Sequence, residues 1–324
     1  MKVMLLNAQG YKDISPLVAS ITWSGDLQQA ARKLEVNLAV SPHDAYLPKI
    51  TIGLGNMLKL QTDDGIELMQ GFVFSQQMFC EGNELQLTAF DGLIYLTKSQ
   101  MSYNFRDMTA EAITRKVCGD LGIVPGNIIA TGINQSCIAL AKTGYEIIKT
   151  AYTAASRQTG KKYLPMMNQG KLDVIEKGIV VAAYELNNKT NLSNASYSES
   201  AENMVNRVVI TDEKGNIIGR VQNDQWMKDY GLLQTIYQKE MDKDAAAAAS
   251  SMLQDLERKA SAEALGNTAC ITGKAVEVRE PHTDLKGRFY IDGDTHNWKN
   301  GQHTMSLELE WDNKMDTGGI ADAG

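Results

Sequence analysis

Near its C-terminal end the chain alternates apolar and polar residues in three runs, 273–280, 287–298 and 301–311, separated by Gly, Asn and Asp. Alternation with a period of two is the signature of antiparallel strands that bury one face. In the last run Met305, Leu307, Leu309 and Trp311 share one face, and Thr304, Ser306, Glu308 and Glu310 share the other. A helix would scatter both sets, so this end of the chain folds as sheet or barrel.

The rest of the chain extends that pattern and interrupts it once. Short alternating runs containing Val3 and Leu5, Val18, Ser20 and Thr22, and Leu34, Val36, Leu38 and Val40 predict strands. Further runs at 58–61, 66–74 and 85–90 are joined by turns at 62–65 and 81–83. Six or so such strands fit a small barrel, since closure removes exposed edges. The period then changes. Ala110, Ile113, Val117 and Leu121 recur every three or four residues, with Thr109 as N-cap and Gly122 as stop. A second helix opens on the capping box Thr143-Gly-Tyr-Glu146, runs through Ile147, Ile148, Ala151, Tyr152 and Ala155, and ends at Gly160. A hairpin over 163–176 completes a small α+β module.

Residues 187–200, rich in Asn, Ser and Thr, read as a polar linker. Strands resume at 205–210 and 217–221 around a turn at 212–215. An Ala-rich segment over 242–265, with five consecutive alanines, predicts a helix whose only bulky apolar residues are Met252, Leu253, Leu256 and Leu265. The expected architecture is mainly β with an α+β insertion. Two small β-barrel domains, 1–104 and 201–324, flank a mixed domain at 105–186, with the inserted helix 242–265 in the C-terminal barrel.

Composition narrows the function. The chain has 324 residues and a net charge of -7, with no Lys/Arg run, which argues against nucleic acid as a specific partner. Cys80, Cys118, Cys137 and Cys270 form no C-x-x-C pair, so isolated thiols in a reducing cytoplasm are expected rather than zinc or a disulfide framework. The N-terminal segment has four consecutive apolar residues, too few for a signal peptide, and nothing approaches the roughly 18 apolar residues of a membrane span.

Three motifs together carry a family resemblance. They are Tyr197-x-Glu-Ser-x-Glu-Asn-Met-Val-Asn-Arg-Val208, Trp226-x-x-x-Tyr-Gly-Leu-Leu-Gln234, and Gly287-x-Phe-Tyr-Ile-x-x-Asp-x-His-x-Trp-x-Asn-Gly-x-His-x-Met-x-Leu-x-Leu309. In these the chain resembles the XkdQ/YqbQ family of prophage tail proteins from Gram-positive bacteria. The layout is more distantly similar to late-control D proteins and to the hub portion of type VI secretion spike proteins. The resemblance implies a structural baseplate hub, a homotrimer whose two barrels per subunit make a ring of six. Such a ring would adapt a sixfold tail tube to a threefold spike. The partners implied are the tail tube protein, the central spike, baseplate wedge proteins and the tape-measure protein. The place implied is the bacterial cytoplasm during assembly, then the tail of a phage or phage-tail-like bacteriocin. No enzyme activity, cofactor or metal is expected.

The rival reading is a metal-dependent hydrolase built on His282, Asp284, Asp292, Asp294, His296 and His303. His and carboxylate two apart on a strand share a face and can hold a divalent ion that activates water. Turn chemistry explains the same Asp and Gly residues without a metal. A receptor- or carbohydrate-binding module, with Tyr197, Trp226 and Trp298 as contacts, is a third possibility. Gly53-Leu-Gly55 lacks the context of a phosphate loop, and no G-x-S-x-G occurs. Asp63-Asp64 and Glu308 with Glu310 read as solvated surface.

Overall fold

The computed structural model describes residues 1–41, 47–79, 83–241 and 243–318. Cys80 and most of the turn expected at 81–83 lie outside them. Strands β1 (Lys2–Asn7), β2 (Gly10–Asp13), β3 (Val18–Asp26), β4 (Lys33–Ala39), β5 (Met57–Gln61), β6 (Glu67–Phe79) and β7 (Glu84–Phe90) come first. Next come α1 (Leu93–Lys98), β8 (Gln100–Thr109), α2 (Ala110–Leu121), β9 (Pro125–Ile128), β10 (Asn134–Thr143), α3 (Gly144–Thr159), β11 (Tyr163–Asn168) and β12 (Lys171–Glu176). The chain continues through β13 (Ile179–Asn187), β14 (Leu192–Ser200), β15 (Arg207–Thr211), β16 (Ile217–Gln222), α4 (Asp224–Tyr230) and β17 (Gln234–Gln238). It closes with α5 (Ala245–Ser251), β18 (Glu257–Leu265), β19 (Lys274–Glu280), β20 (Leu285–Lys299) and β21 (Gln302–Glu310).

These elements form two units, one of Met1–Ala195 with the chain from Ser261 onward, the other Ser196–Ala260. In the first, strands from both ends of the chain share one sheet, ordered β14-β18-β21-β20-β3-β4-β7-β6-β5-β1-β2, with β13 and β19 branching from β20. The length of β20 makes this possible. Its first half pairs with β19, and its second half pairs with β3 on one side and β21 on the other. The N-terminal and C-terminal β segments are therefore continuous through β3 and β20. Among the described residues the path runs open from β14 to β2.

Alternation decides what this sheet buries. Val3, Leu5, Ile21, Trp23, Leu34, Val36, Leu58, Leu60 and Leu87 form one core. A second core, including Leu96, Ile113, Val117, Ile148, Tyr152 and Val174, lies under the mixed module. Both long helices start where the sequence places them. The Thr109 hydroxyl accepts from the Ala112 amide, and Thr143 and Glu146 make the reciprocal capping box. Left-handed Gly122 and Gly160 end them, since positive φ carries no Cβ penalty in glycine.

Two expectations fail. The stretch 187–200 is not a linker: β14 occupies most of it as an edge strand, beside β18. Its polar composition reflects exposure on both faces, which a charged or polar edge tolerates. The helix over 242–265 is only α5, seven residues capped by Asp244. Beyond it, Ala260, Ala262 and Ala264 alternate with Ser261 and Glu263 and are buried as β18. Sheet pairing here overrides the helical preference of alanine, a weak prior in tertiary context.

The second unit holds the three-stranded sheet β16-β15-β17. Its core is small: Val208, Ile210 and Ala249, with Val205, Val221, Tyr237, Met252 and Leu253 packed around them. Helix α5 therefore covers this small sheet, whereas the expected helix was to lie on a C-terminal barrel.

Candidate functional site

The β20–β21 hairpin turns at Asn300 and Gly301, both at positive φ, between the paired Lys299 and Gln302. Two left-handed residues suit the right-handed twist of a tight hairpin. The register shifts between Ile291 and Gly293, where Asp292 is the extra residue. This bulge changes which residues face inward, from Phe289 and Ile291 before it to Asp294 and His296 after it. It also parts Asp292 from Asp294, which a regular strand would have kept on one face.

Asp294 is the centre of a buried polar cluster. Its carboxylate accepts from Arg32 Nη1 at 2.9 Å and Nη2 at 2.5 Å, and from the Thr272 amide and hydroxyl at 2.7 Å each. Burial alone would raise its pKa, but the Arg32 charge and these donors outweigh it and hold the carboxyl below its ordinary value. The Arg32 guanidinium lies 4.1 Å over the Trp23 ring. Gly25 makes the room: a Cβ there would stand 2.2 Å from Arg32 Nη1.

The histidines continue inward contacts rather than forming a reactive centre. His296 Nε2 donates to the Cys270 carbonyl at 3.1 Å, which leaves Nδ1 to accept from His303 Nε2, also at 3.1 Å. His303 stacks on Trp298 with ring centroids 4.1 Å apart. Gly266 packs against the same imidazole: a Cβ there would fall 2.1 Å from the ring. Burial lowers the pKa of both histidines, that of His303 to about 4 with the help of His296.

The remaining candidates go elsewhere. Asp292 binds the fully buried Lys177 ammonium at 2.6 Å, and Lys177 also donates to the Lys314 carbonyl. His282 bonds Glu280, and Asp284 pairs with Lys286 in the β19–β20 turn. Among the described residues, no group of three His, Cys, Asp or Glu side chains is placed to hold a metal. Among the described residues, burial pushes the Cys118 thiol up to about 11 and that of Cys270 up to about 12, and raises that of Cys137, which disfavours the thiolate at each. The three proposed aromatic contacts are engaged or half-buried: Trp298 with His303, Tyr197 with Glu199, and Trp226 on α4.

Sequence reasoning missed Arg32 and Lys177, because an isolated basic residue near a turn carries no periodic signal. It also missed a strap at the C-terminal end. Asp316 binds Lys149 through both oxygens at 3.0 Å, and the Gly318 amide donates to Thr153 on α3. Among the described residues, no helix is long and apolar enough to cross a membrane.

These groups stitch strands together. A family model described as YQBQ-like matches residues 21–310. The phage-like element PBSX protein XkdQ of Bacillus subtilis (strain 168) is 27% identical over 312 residues, spanning 92% of this chain and 94% of that protein. The prophage MuSo2 43 kDa tail protein from Shewanella oneidensis has the same fold, with a TM-score of 0.71 at 14% identity over 95% of this chain and 96% of that one. The E. coli c3393 protein, a type VI secretion component described as similar to T4 tail proteins gp27 and gp5, gives a TM-score of 0.57 at 8% identity. That match covers 99% of this chain and 79% of the other. With the family model covering most of its length, the chain belongs to the YQBQ-like family.

Proposed function

We propose that this chain is a structural hub of a phage tail or phage-tail-like particle and acts through assembly geometry rather than catalysis. The observation that carries the proposal is the fate of the His/Asp motif. Its most reactive-looking residues, Asp294 and His296, are consumed as a buried link between β20, the Arg32 side chain and the Thr272 and Cys270 backbone. The fold shared with a prophage tail protein, and with a type VI component itself likened to tail proteins, supports the same reading.

In this proposal three copies form a ring, each giving two barrel-like bodies, one from each end of the chain. The ring adapts a sixfold tail tube to a threefold spike and touches the tube protein, the spike, the wedge proteins and the tape-measure protein. Cyclic closure would satisfy the open edges at β2 and β14 without runaway association. The outer rows of the sheet, such as Asn297–Thr22–Glu35–Thr88–Ser75, are mostly neutral and polar. Lining a channel, they would not retain a passing polyanion. The subunit is made in the cytoplasm and ends in the tail.

Imaging of the assembled particle tests this. One threefold ring between tube and spike is expected. Six copies around the rim, or a place on a fibre, would sink the hub assignment.

A further inference from the structure

Charge is unevenly divided along this acidic chain. Residues 92–178, which contain the mixed module, hold 11 of the 32 basic residues and 6 of the 39 acidic ones, a balance of +5 against -12 for the remainder. Two of those cations, Lys149 and Lys177, are matched by Asp316 and Asp292 from outside the stretch. Lys98, Arg106, Arg115, Arg157, Lys162 and Lys171 enter none of the ion pairs among the described residues.

The same module carries an uncovered sheet face. Strands β8 and β10 form a two-stranded ribbon with Asn104 opposite Ile138. One face packs Phe105 and Ala139 into the core. The other exposes Asn104, Arg106, Ile138 (59%) and Leu140 (71%). Bulges fix the ribbon at both ends. Asp107 and Ala141 have positive φ, and their amides bond the hydroxyls of Ser136 and Ser102. The face is thus a preformed surface with an apolar centre beside an arginine, the make-up of a protein contact. A phosphate backbone would use the cations but not the isoleucine and leucine.

We propose that this ribbon face seats a second copy of the chain, the basic module of one subunit lying on the acidic remainder of the next. Charge complementarity selects the occupant: with Asp292 and Asp316 set against Lys177 and Lys149, the module keeps a formal +3 and the remainder of the chain -10, and every neighbouring copy supplies that acidic remainder. The contact is head-to-tail, because a like-to-like contact would bring two basic modules against each other. The inference rests on the ring reading above and adds a side-chain surface to the contact between neighbouring copies.

The test uses full-length chain in assembled particles, with photoreactive benzoylphenylalanine in place of Ile138. Irradiation should give an adduct of twice the chain mass, its second peptide coming from outside residues 92–178. Arg106→Glu or Leu140→Asp, both exposed positions, should reduce the adduct at least fivefold. An adduct with another protein, with nucleic acid or with residues 92–178 of the second copy overturns the inference, as does no adduct. Imaging keeps the two ideas apart: a ring without the adduct refutes only this contact, whereas a particle without the ring refutes the hub reading.

Discussion

Arg32 and Asp294 stand 262 positions apart in the sequence and meet as a two-pronged ion pair, their side chains 10% and 0% exposed. The pair joins the start of β4 to the second half of β20, across β3, which pairs with both. Through Thr272 it also anchors the segment that leads into β19. One salt bridge thus gathers parts of the chain that sequence reading assigned to separate bodies.

Removing one partner should cost more than removing both. Arg32→Leu leaves a carboxylate buried without its cation, a loss of about 3–5 kcal/mol. Arg32→Leu combined with Asp294→Leu should recover much of that loss, because no uncompensated charge remains. Urea unfolding of the two single variants and the double variant measures the coupling. Additive losses would mean that the pair is not the link described.

The buried histidines set an acid limit. Their folded pKa values lie below the ordinary 6.5, so the unfolded chain takes up protons more readily as the pH falls. Their contribution is complete above pH 6.5 and declines toward about 4, where His303 titrates in the fold. His303→Asn should show a flatter melting temperature between pH 6.5 and 4.5. An unchanged slope would place the acid sensitivity elsewhere.

Asp91 should act in the opposite sense. Burial raises its carboxyl to about 7, despite the Leu93 amide bond and the nearby Arg32 charge. The fold favours the protonated form, so stability falls as the pH rises from about 4 to 7. Asp91→Asn keeps an oxygen for the Leu93 amide and removes the buried charge. It should gain on the order of 2 kcal/mol above pH 7 and nothing below pH 4. Thermal melts across that range separate this effect from the histidine effect by the sign of the slope.

Much of the local structure was legible because its signals are local. The caps at Thr109 and Thr143, the stops at Gly122 and Gly160, and the alternation of Met305, Leu307 and Leu309 each depend on nearby residues. What was illegible depends on distant partners. Residues 257–265 carry strong helix formers, and only pairing with β14 and β21 makes them a strand. The His/Asp motif was visible, but its role was not, since Arg32, Thr272 and Gly266 lie far from it in sequence. The bulge at Asp292 also broke the simple period-two reasoning by which Asp292, Asp294 and His296 would share a face.

The Ser196–Ala260 unit should fail alone. Asn206 is fully buried and holds the β16–β17 connection at several points. Its amide and side-chain nitrogen donate to the carbonyls of Leu233 and Gly231, and its side-chain oxygen accepts from the Leu233 amide. Asn206→Ala keeps the backbone bond to Leu233 but removes the side-chain partners of the Gly231 carbonyl and the Leu233 amide, a loss of about 1–3 kcal/mol in all. A core centred on Val208, Ile210 and Ala249 has little margin to absorb it. Leu253→Asp, which places a charge against the same core, should act alike. Hydrogen exchange on the full chain should show residues 196–260 losing protection while β3, β4, β20 and β21 keep theirs. If all of these strands exchanged together, the two units would not be independent, and the Asn206 connection would be supporting the whole chain.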